Sequence, residues 1–278
     1  MPTVLPNDLR DRIQQHAREW RLVIEDSFET ETSVISSVTR DGQSLILKTL
    51  KSVGDEWNAG QVLDAFDGKA VVRVFEYTGG AMLLERLRPG TSLSEIKDDR
   101  EATEILVGVM KKMSPREAPA GFATVADWGK GFARYLDSAD EQIPRKLVAS
   151  AQQVFGDLCA SQKNVRLLHG DFQHYNVLFD ADRGWVAIDP KGVLGELEYE
   201  IGAALRNPVE RPEQFLSTEV VERRLQQTTS ELSLSYERTL AWGFAQAVLS
   251  AIWLVEDGYR VMPDIPILRL AELMRLMM

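Results

Sequence analysis

Asp171, Asn176 and Asp189 are of types and in an order that match one reaction. They lie in Leu168-His169-Gly170-Asp171-Phe172-Gln173-His174-Tyr175-Asn176 and Ile188-Asp189-Pro190. Phosphoryl transfer from a metal-bound nucleoside triphosphate needs one carboxylate to orient a hydroxyl and accept its proton. It also needs an amide oxygen and a second carboxylate to hold the metal that bridges the phosphates. Asp171 fits the base, and Asn176 and Asp189 fit the metal. Mg2+ usually takes only one or two protein oxygens and the rest from phosphate and water. An isolated His-Gly-Asp would read as an aspartate capping a turn. The hairpin between Asn176 and Asp189, which returns the second carboxylate to the amide, favours the chemical reading.

His169 stands next to the base, and its expected task is to brace the loop, since Asp171 already fills the base role. His16 and His174 read as surface or loop residues. Three histidines without paired spacing give no zinc site.

The residues upstream supply partners for a nucleotide. Lys48 ends the strand Leu45-Ile46-Leu47-Lys48, within reach of phosphates, and Glu56 early in the next helix would hold it by an ion pair. Glu76 and Glu85 are rivals for that pairing, but they sit on other strands. Leu84-Glu85-Arg86-Leu87 links the two halves of the chain, and the backbone around Glu85 and Leu87 would meet an adenine edge. An ordinary connection would need the same residues. The segment Ser27–Ser33, where a phosphate-covering loop belongs, has no glycine. Backbone N–H and hydroxyl groups would serve instead, with Glu29 and Glu31 unfavourable if aimed at phosphate.

These groups must be positioned by two unlike halves. A leading helix is expected at about Asp8–Trp20. Strands follow around Leu22–Ile24, Ser33–Thr39 and Ser44–Leu47, with Asp41-Gly42 as a tight turn. A helix at about Val53–Phe66 and strands at Val71–Phe75 and Met82–Leu84 complete a five-stranded antiparallel sheet with one helix. Pro89-Gly90 marks a boundary. Beyond it the chain is mainly helical, with helices expected at about Ser94–Met113, Val125–Asp140, Arg145–Gln162, Glu219–Ser230, Tyr236–Glu256 and from Ile267 on. The hairpin Asn176–Phe179 with Trp185–Ile188 is the expected β interruption. The fold class is α+β. The six tryptophans, Trp242 and Trp253 among them, are expected in the core.

The 278 residues suit one large domain or two lobes, and 44% hydrophobic with 27% charged residues is ordinary for a globular protein. No long uncharged apolar run argues for a membrane span, and Met1–Arg10 lacks the apolar centre of a signal peptide. The single Cys159 forms no internal disulfide, which fits a reducing cytoplasm. A net charge of -10 argues against a nucleic-acid partner and suits a cationic ligand, though it also serves simply to keep a protein in solution. Gly195-Glu196-Leu197-Glu198-Tyr199-Glu200, with Glu210 and Asp257, would form an acidic wall for a cationic small molecule. Acidic residues also suit a solvated helix N-terminus.

Together, His169-Gly170-Asp171 with Asn176, Ile188-Asp189-Pro190-Lys191-Gly192, Gly195-Glu196, Tyr199-Glu200 and Leu205-Arg206-Asn207-Pro208 resemble the aminoglycoside and hydroxyurea resistance kinase family, to which streptomycin 6-kinases belong. The likeness is densest over about 167–208 and extends more weakly over Lys48, Glu56 and Met82–Gly90. It implies a bilobal, protein-kinase-like fold with ATP in the cleft, residues 1–88 as the nucleotide-binding lobe and 89–278 as the catalytic and substrate-binding lobe. It also implies Asp171 as base, Asn176 and Asp189 on Mg2+, and Lys48 with Glu56 on the phosphates. Pro190 stands where protein kinases carry the phenylalanine of Asp-Phe-Gly, and no Ala-Pro-Glu follows, so a protein substrate is not expected.

The leading expectation is therefore an ATP-dependent kinase of a streptomycin-like aminoglycoside, as monomer or homodimer. Alternatives are a kinase of a sugar or amino alcohol, a nucleotide-binding regulator without transfer activity, and a metal-dependent hydrolase, which would leave Lys48 unexplained.

Overall fold

A computed structural model describes residues 7–113, 115 and 121–278. The Met1–Pro6 stretch of the N-terminus considered above lies outside them. The chain opens with helix α1 (Asn7–Glu19), strands β1 (Val23–Glu29), β2 (Ser33–Arg40) and β3 (Gln43–Leu50), helix α2 (Ala59–Phe66), and strands β4 (Val74–Thr78) and β5 (Ala81–Glu85). The strands form one antiparallel sheet in the order β1-β2-β3-β5-β4. At the β2–β3 turn Asp41 and Gly42 both have positive φ, at 49° and 80°, which is the backbone a two-residue hairpin requires.

Side chains alternate across a strand, and here the alternation separates packing from chemistry. Val34, Val38, Leu45, Leu47 and Leu83 face α1, where Leu9 and Ile13 cover them. The opposite register presents Ile35, Ser37, Ile46, Lys48 and Leu84 to an interlobe cleft. Lys48 lies opposite Ile35 and Met82. It is therefore an inward-facing cation in the centre of the sheet, 3% exposed.

The second half begins with strand β6 (Pro89–Ser92) and continues through α3 (Asp99–Lys112), α4 (Val125–Trp128), α5 (Lys130–Asp137) and α6 (Arg145–Ala160). Three short strands come next, β7 (Arg166–Leu168), β8 (Val177–Asp180) and β9 (Gly184–Ala187), with β10 (Val193–Gly195) after them. Helices α7 (Leu197–Leu205), α8 (Thr218–Leu232), α9 (Tyr236–Glu256) and α10 (Pro266–Met277) complete the chain. β6, β7, β10 and α7 were not among the expected elements, and the helix expected over Val125–Asp140 is broken between Trp128 and Lys130. β6 pairs with β8, which pairs with β9. β7 pairs with β10, Leu168 opposite Val193.

α9 is the axis of this half. It is long and apolar enough to cross a membrane, but 72% of its apolar window is buried inside the protein. Trp242, Phe244, Val248, Leu249 and Ile252 pack among α6, α7 and α10, so the helix reads as the core of a folded body. Trp242 is fully buried as expected, whereas Trp253 is only partly buried.

A buried ion cluster fixes the end of α7. Arg224 on α8, 3% exposed, donates to the carbonyls of Ala204, Leu205 and Asn207 at 3.0, 3.3 and 2.9 Å. Asp99 at the start of α3 accepts from both Arg223 and Arg224. Hydrogen bonds from these guanidinium groups hold the Asp99 carboxyl below its usual range although burial pushes it up. Removing one partner of such a cluster leaves buried charge uncompensated. Asp99→Ala is therefore expected to lower the unfolding free energy by about 3–5 kcal/mol, measurable as an earlier midpoint in urea denaturation.

Candidate active site

The short β pairs determine where the motif residues stand. Between β7 and the 3-10 turn His174–Asn176 the chain makes a loop whose far end continues directly into β8. The β8–β9 hairpin then returns the chain so that the Ile188 N–H donates to the Asn176 carbonyl at 2.9 Å. Asp189, the next residue, thus stands beside Asn176. Lys191 and Gly192 both donate from backbone N–H to the His169 carbonyl, at 2.9 and 3.0 Å. The segments carrying Asp171 and Asp189 are hydrogen-bonded to each other at both ends.

Asn176 Nδ2 donates to the Asp171 backbone carbonyl at 2.8 Å and to Asp171 Oδ2 at 3.1 Å. This leaves the amide oxygen free of the carboxylate. Asp189, at φ 56°, directs its carboxylate to Lys48, with Oδ1 2.9 Å from Nζ. Lys48 Nζ also meets Glu56 Oε2 at 2.7 Å. Burial alone would lower the Lys48 ammonium, but Asp189 and Glu56 outweigh it and push it up, so the cation persists. Glu56 comes from a single 3-10 turn, Asp55–Asn58, ahead of α2, not from the helix itself.

Lys48, Glu56, Asn176 and Asp189 line one cleft of about 840 Å³. Its walls include Thr30–Ser33, Lys48, Glu56, Leu84–Leu87, Asn176 and Asp189. The volume suits a cofactor-sized ligand. On the linker, the Glu85 carboxylate is turned to Arg183 and accepts the Arg73 N–H at 2.8 Å, while the Glu85 N–H donates to the Arg73 carbonyl at 3.0 Å. The Glu85 carboxylate therefore braces the hairpin, while Glu85 and Leu87 both line the cleft at the linker whose backbone was expected to meet an adenine edge. The Leu87 N–H has no partner among the described residues and remains a donor at the cleft wall.

The glycine-free loop manages its acids locally. Glu29 pairs with Lys51 at 2.9 Å, and Lys51 also donates to the Thr30 carbonyl at 2.6 Å. Glu31 accepts from the Tyr259 hydroxyl in the other half of the chain.

Behind Asp171 lies a buried carboxylate. Glu200 on α7, 2% exposed, accepts the N–H of His169 at 2.7 Å and of Gly170 at 2.9 Å. Burial pushes its carboxyl up to about 7, against the pull of these backbone amides. His169 is fully buried, its Nε2 lies 2.8 Å from the Ile188 carbonyl, and its Nδ1 accepts the Asp171 N–H at 3.3 Å. Burial lowers it to about 4, so the ring is neutral, with its proton on the nitrogen that faces the carbonyl. Both contacts brace the loop.

The acidic wall expected from 196–200 is corrected by these contacts. Glu196, also 2% exposed, accepts from Trp242 Nε1 at 2.5 Å, the Lys163 N–H at 3.1 Å and Arg238. Glu196 and Glu200 are one helical turn apart and share the inward face of α7 with Tyr199. Glu198 is half-buried and lines a separate depression with Lys163, Asn164 and Glu196. Of that proposed wall only Glu210 and Asp257 are exposed. His16 and His174, expected as surface or loop residues, are both buried, 8% and 2% exposed, although His174 does lie in the loop between β7 and β8. His16 stacks on Trp20, with ring centroids 5.0 Å apart.

Arg206 escaped the residue-by-residue reading. Its Nη2 lies 3.9 Å from Asp171 Oδ1, and Nη1 donates to Gln246 at 2.5 Å. The signal in the sequence was an arginine directly after the apolar run Ile201–Leu205, where a charge has to find a partner.

The pattern of the aminoglycoside/hydroxyurea antibiotic resistance kinases matches residues 20–258. The chain belongs to this kinase family. A hydroxyurea phosphotransferase from Kitasatospora aureofaciens is 31% identical over 92% of this chain and 76% of that protein. A streptomycin 3''-kinase from Klebsiella pneumoniae is 31% identical over 86% of this chain and 91% of its own length. Among solved structures, choline kinase LicA from Streptococcus pneumoniae superposes with a TM-score of 0.65 at 14% identity, covering 97% of this chain and 98% of that one. A thermostable mutant of aminoglycoside phosphotransferase APH(4)-Ia gives 0.66 at 14% identity over 97% and 98%. The kinase is a small-molecule phosphotransferase of α+β, protein-kinase-like fold.

Two predictions come from the buried groups around the kinase's loop. Glu200→Gln sets an amide N–H2 against a backbone N–H. It is expected to cost about 1–3 kcal/mol and to lower kcat, read by thermal melting and steady-state rates on the same preparation. The second concerns pH. His169 and His174 are lowered to about 4 and about 3 by burial, from 6.5. The unfolded chain therefore binds protons that the folded one refuses, and stability present above pH 6.5 is lost as pH falls. Glu200 acts in the opposite sense between 4.5 and about 7, but one group against two leaves a net loss. The melting temperature should fall from pH 6.5 to 4.5, and His174→Leu should reduce that slope.

Proposed function

We propose that this kinase transfers the γ-phosphoryl group of Mg-ATP to a hydroxyl of a streptomycin-like aminoglycoside. The observation that carries the reading is that Lys48, Asn176 and Asp189 line one cleft, with Asp171 hydrogen-bonded to Asn176. Leu87 and its neighbours on the linker would take the adenine. Lys48, oriented by Glu56, would take phosphate oxygens, which compete with Asp189 for the same ammonium.

The residues fit a divalent cation. The Asn176 amide orients its nitrogen to Asp171 and so leaves its oxygen for a hard ion, and Asp189 adds a carboxylate oxygen in the same cleft. Among the described residues no cluster of three or more carboxylate, imidazole or thiol groups forms a cage. An ion there would complete its shell with phosphate and water, and when bound it neutralises charge on the β- and γ-phosphates.

Asp171 orients the acceptor hydroxyl and takes its proton. Its carboxylate is held on one oxygen by the Asn176 amide and faced on the other by Arg206. The phosphoryl-transfer transition state is loose, so this positioning is the main contribution of the base. The streptomycin kinases among the relatives support the acceptor class. The hydroxyurea phosphotransferase, at equal identity and broader coverage, supports a second reading in which the acceptor is a small N-hydroxy compound.

Incubation with Mg-ATP and a panel of streptomycin, other aminoglycosides and hydroxyurea, followed by mass spectrometry, separates the two readings by the compound that gains a phosphoryl group. Asp171→Ala is expected to lower kcat by about 10²–10⁴ with nucleotide affinity retained, whereas Asp189→Ala should also weaken Mg-ATP binding. A wild-type kcat in Asp171→Ala would overturn its role as base.

A further inference from the structure

Glu56 holds Lys48 from an element with little to fix it from within. The turn Asp55–Asn58 is one short stretch of 3-10 helix, none of its residues is buried, and no side chain caps its start. Such turns are short because their hydrogen bonds are poorly aligned. Ser52, Val53 and Gly54 ahead of it are exposed. Its far end runs into α2, where Ala59 and Gly60 are buried. Yet Glu56 Oε2 stands 2.7 Å from the Lys48 ammonium, and both residues line the cleft. Something outside the turn has to place it.

The half-buried Trp57, next to Glu56, has the contacts to do so. Its indole lies across Gly79 and Gly80, the two-residue turn between β4 and β5. A Cβ on Gly79 would stand 2.6 Å from Trp57 Nε1, and one on Gly80 would run into the six-membered ring. The two glycines therefore keep open the slot that the indole fills. Gly80 also joins the turn to the strand of the lysine. Its N–H donates to the Trp57 carbonyl at 3.1 Å, and its carbonyl accepts the Leu50 N–H at 2.8 Å. Leu50 is two residues past Lys48 on β3. The path from Lys48 through Leu50, Gly80 and Trp57 to Glu56 thus closes on the ion pair itself. Helix α1 reaches the same point. Arg12 Nη1 donates to the Leu50 carbonyl at 3.0 Å, and its guanidinium carbon stands 5.4 Å from the Trp57 ring centroid. Arg12 Nη2 is buried without a hydrogen bond among the described residues. An arginine with an unspent donor over an aromatic ring is held there by the ring's quadrupole.

We propose that Trp57, clamped between the Gly79-Gly80 turn and Arg12, is a positioning residue that places Glu56 and, through it, the ammonium of Lys48. The inference rests on the phosphate role given above to Lys48. Asp189 shares Lys48 with Glu56 at 2.9 Å, and a metal ion on Asp189 draws that carboxylate away. Among the described residues Glu56 is then the carboxylate left to orient the ammonium toward a phosphate oxygen. A displacement of about 1 Å in a positioning element is enough to cost about 10²-fold in rate, so the clamp on the turn matters more than its distance from the phosphates suggests. It also links α1, which covers the far face of the sheet, to the cleft.

The competing account is that Trp57 only packs the first half of the chain. The test uses the full chain with Mg2+ and reads affinity by titration calorimetry for ATP and for adenosine, which has no phosphates. This readout needs no known acceptor, and the ratio of the two affinities reports the phosphate contacts alone. Trp57→Ala should lower the ratio by about tenfold, the worth of one charge-assisted hydrogen bond, and bind adenosine as the wild type does. Gly79 is not at positive φ, so Gly79→Ala adds only a methyl group to the slot and should reproduce the loss with the indole still present. Trp57→Phe should restore part of the ratio. Glu56→Ala should lower it as Trp57→Ala does, and combining the two should lower it no further.

A ratio in Trp57→Ala within about twofold of wild type, well below the effect of one such bond, would overturn the proposal. So would a further drop when Trp57→Ala is added to Glu56→Ala, because Trp57 would then act by another route. If Glu56→Ala itself kept the wild-type ratio, the phosphate role of the Lys48–Glu56 pair would fall, and that of Trp57 with it. Should Trp57→Ala fail to fold, Gly79→Ala decides by the same criterion, with melting temperatures taken on each preparation.

Discussion

The arrangement of the site depends on a carboxylate that never meets a ligand. Glu200 takes the N–H groups of His169 and Gly170 where the chain leaves β7 and has no strand partner left for them. Buried backbone donors must be satisfied, and this loop cannot satisfy them by regular pairing, because its side chains have to reach the cleft. Gly170 is at φ 84°, and a Cβ there would stand 2.9 Å from Trp128. The loop is therefore tight, left-handed at one residue, and held from behind by α7. Holding Glu200 in place falls in turn to Arg224 and Asp99, which fix the far end of the same helix. Asp171 is thus positioned by a chain of buried polar contacts that runs from α3 through α8 and α7 to the loop.

Electrostatics near the cleft follow a compensating plan. Lys48 is charged in a buried place because two carboxylates face it. Asp171 has Arg206 and the Asn176 amide. The acids of the β1–β2 loop are each paired, Glu29 with Lys51 and Glu31 with Tyr259. The last contact joins the loop over the cleft to the segment after α9, so the two halves touch at the mouth as well as along the linker. Without nucleotide the site is already close to internally neutral, and an anionic ligand enters by exchanging partners with these groups.

Much of this was legible in the residues. The helix Tyr236–Glu256 was expected with the bounds it has, because its apolar residues run on every face and no glycine or proline interrupts it near the ends. The sheet was legible from β-branched runs and from Asp41-Gly42. The short pairs β6, β7 and β10 were not. Strands of three or four residues carry no periodicity, and their partners are far away in sequence. Helix α7 was missed for a different reason. The glutamates at its start were weighed as a ligand-binding wall or a solvated helix end, yet Glu196 and Glu200 are buried along with Tyr199, Ile201 and Ala203. Spacing could have separated Glu198 from Glu196 and Glu200. It could not have named the backbone amides that the latter meets, since those depend on a loop with no regular structure. The motif triad was readable because Asn176 and Asp189 flank one hairpin and Asp171 lies in the short loop just before it. Arg206 reaches Asp171 only through the packing of α7 and α9, and no local pattern encodes that.

The burial of Glu196 and Glu200 divides labour between two sides of α7. The inward side holds the phosphoryl-transfer loop and tolerates little change. The elements that border the open mouth, namely the β1–β2 loop, Asp257, Tyr259 and the end of α9, belong to other parts of the chain and bear none of that load. The mouth and the braced loop can therefore change independently of each other. Such modularity lets one framework serve relatives named for compounds as unlike as hydroxyurea and streptomycin.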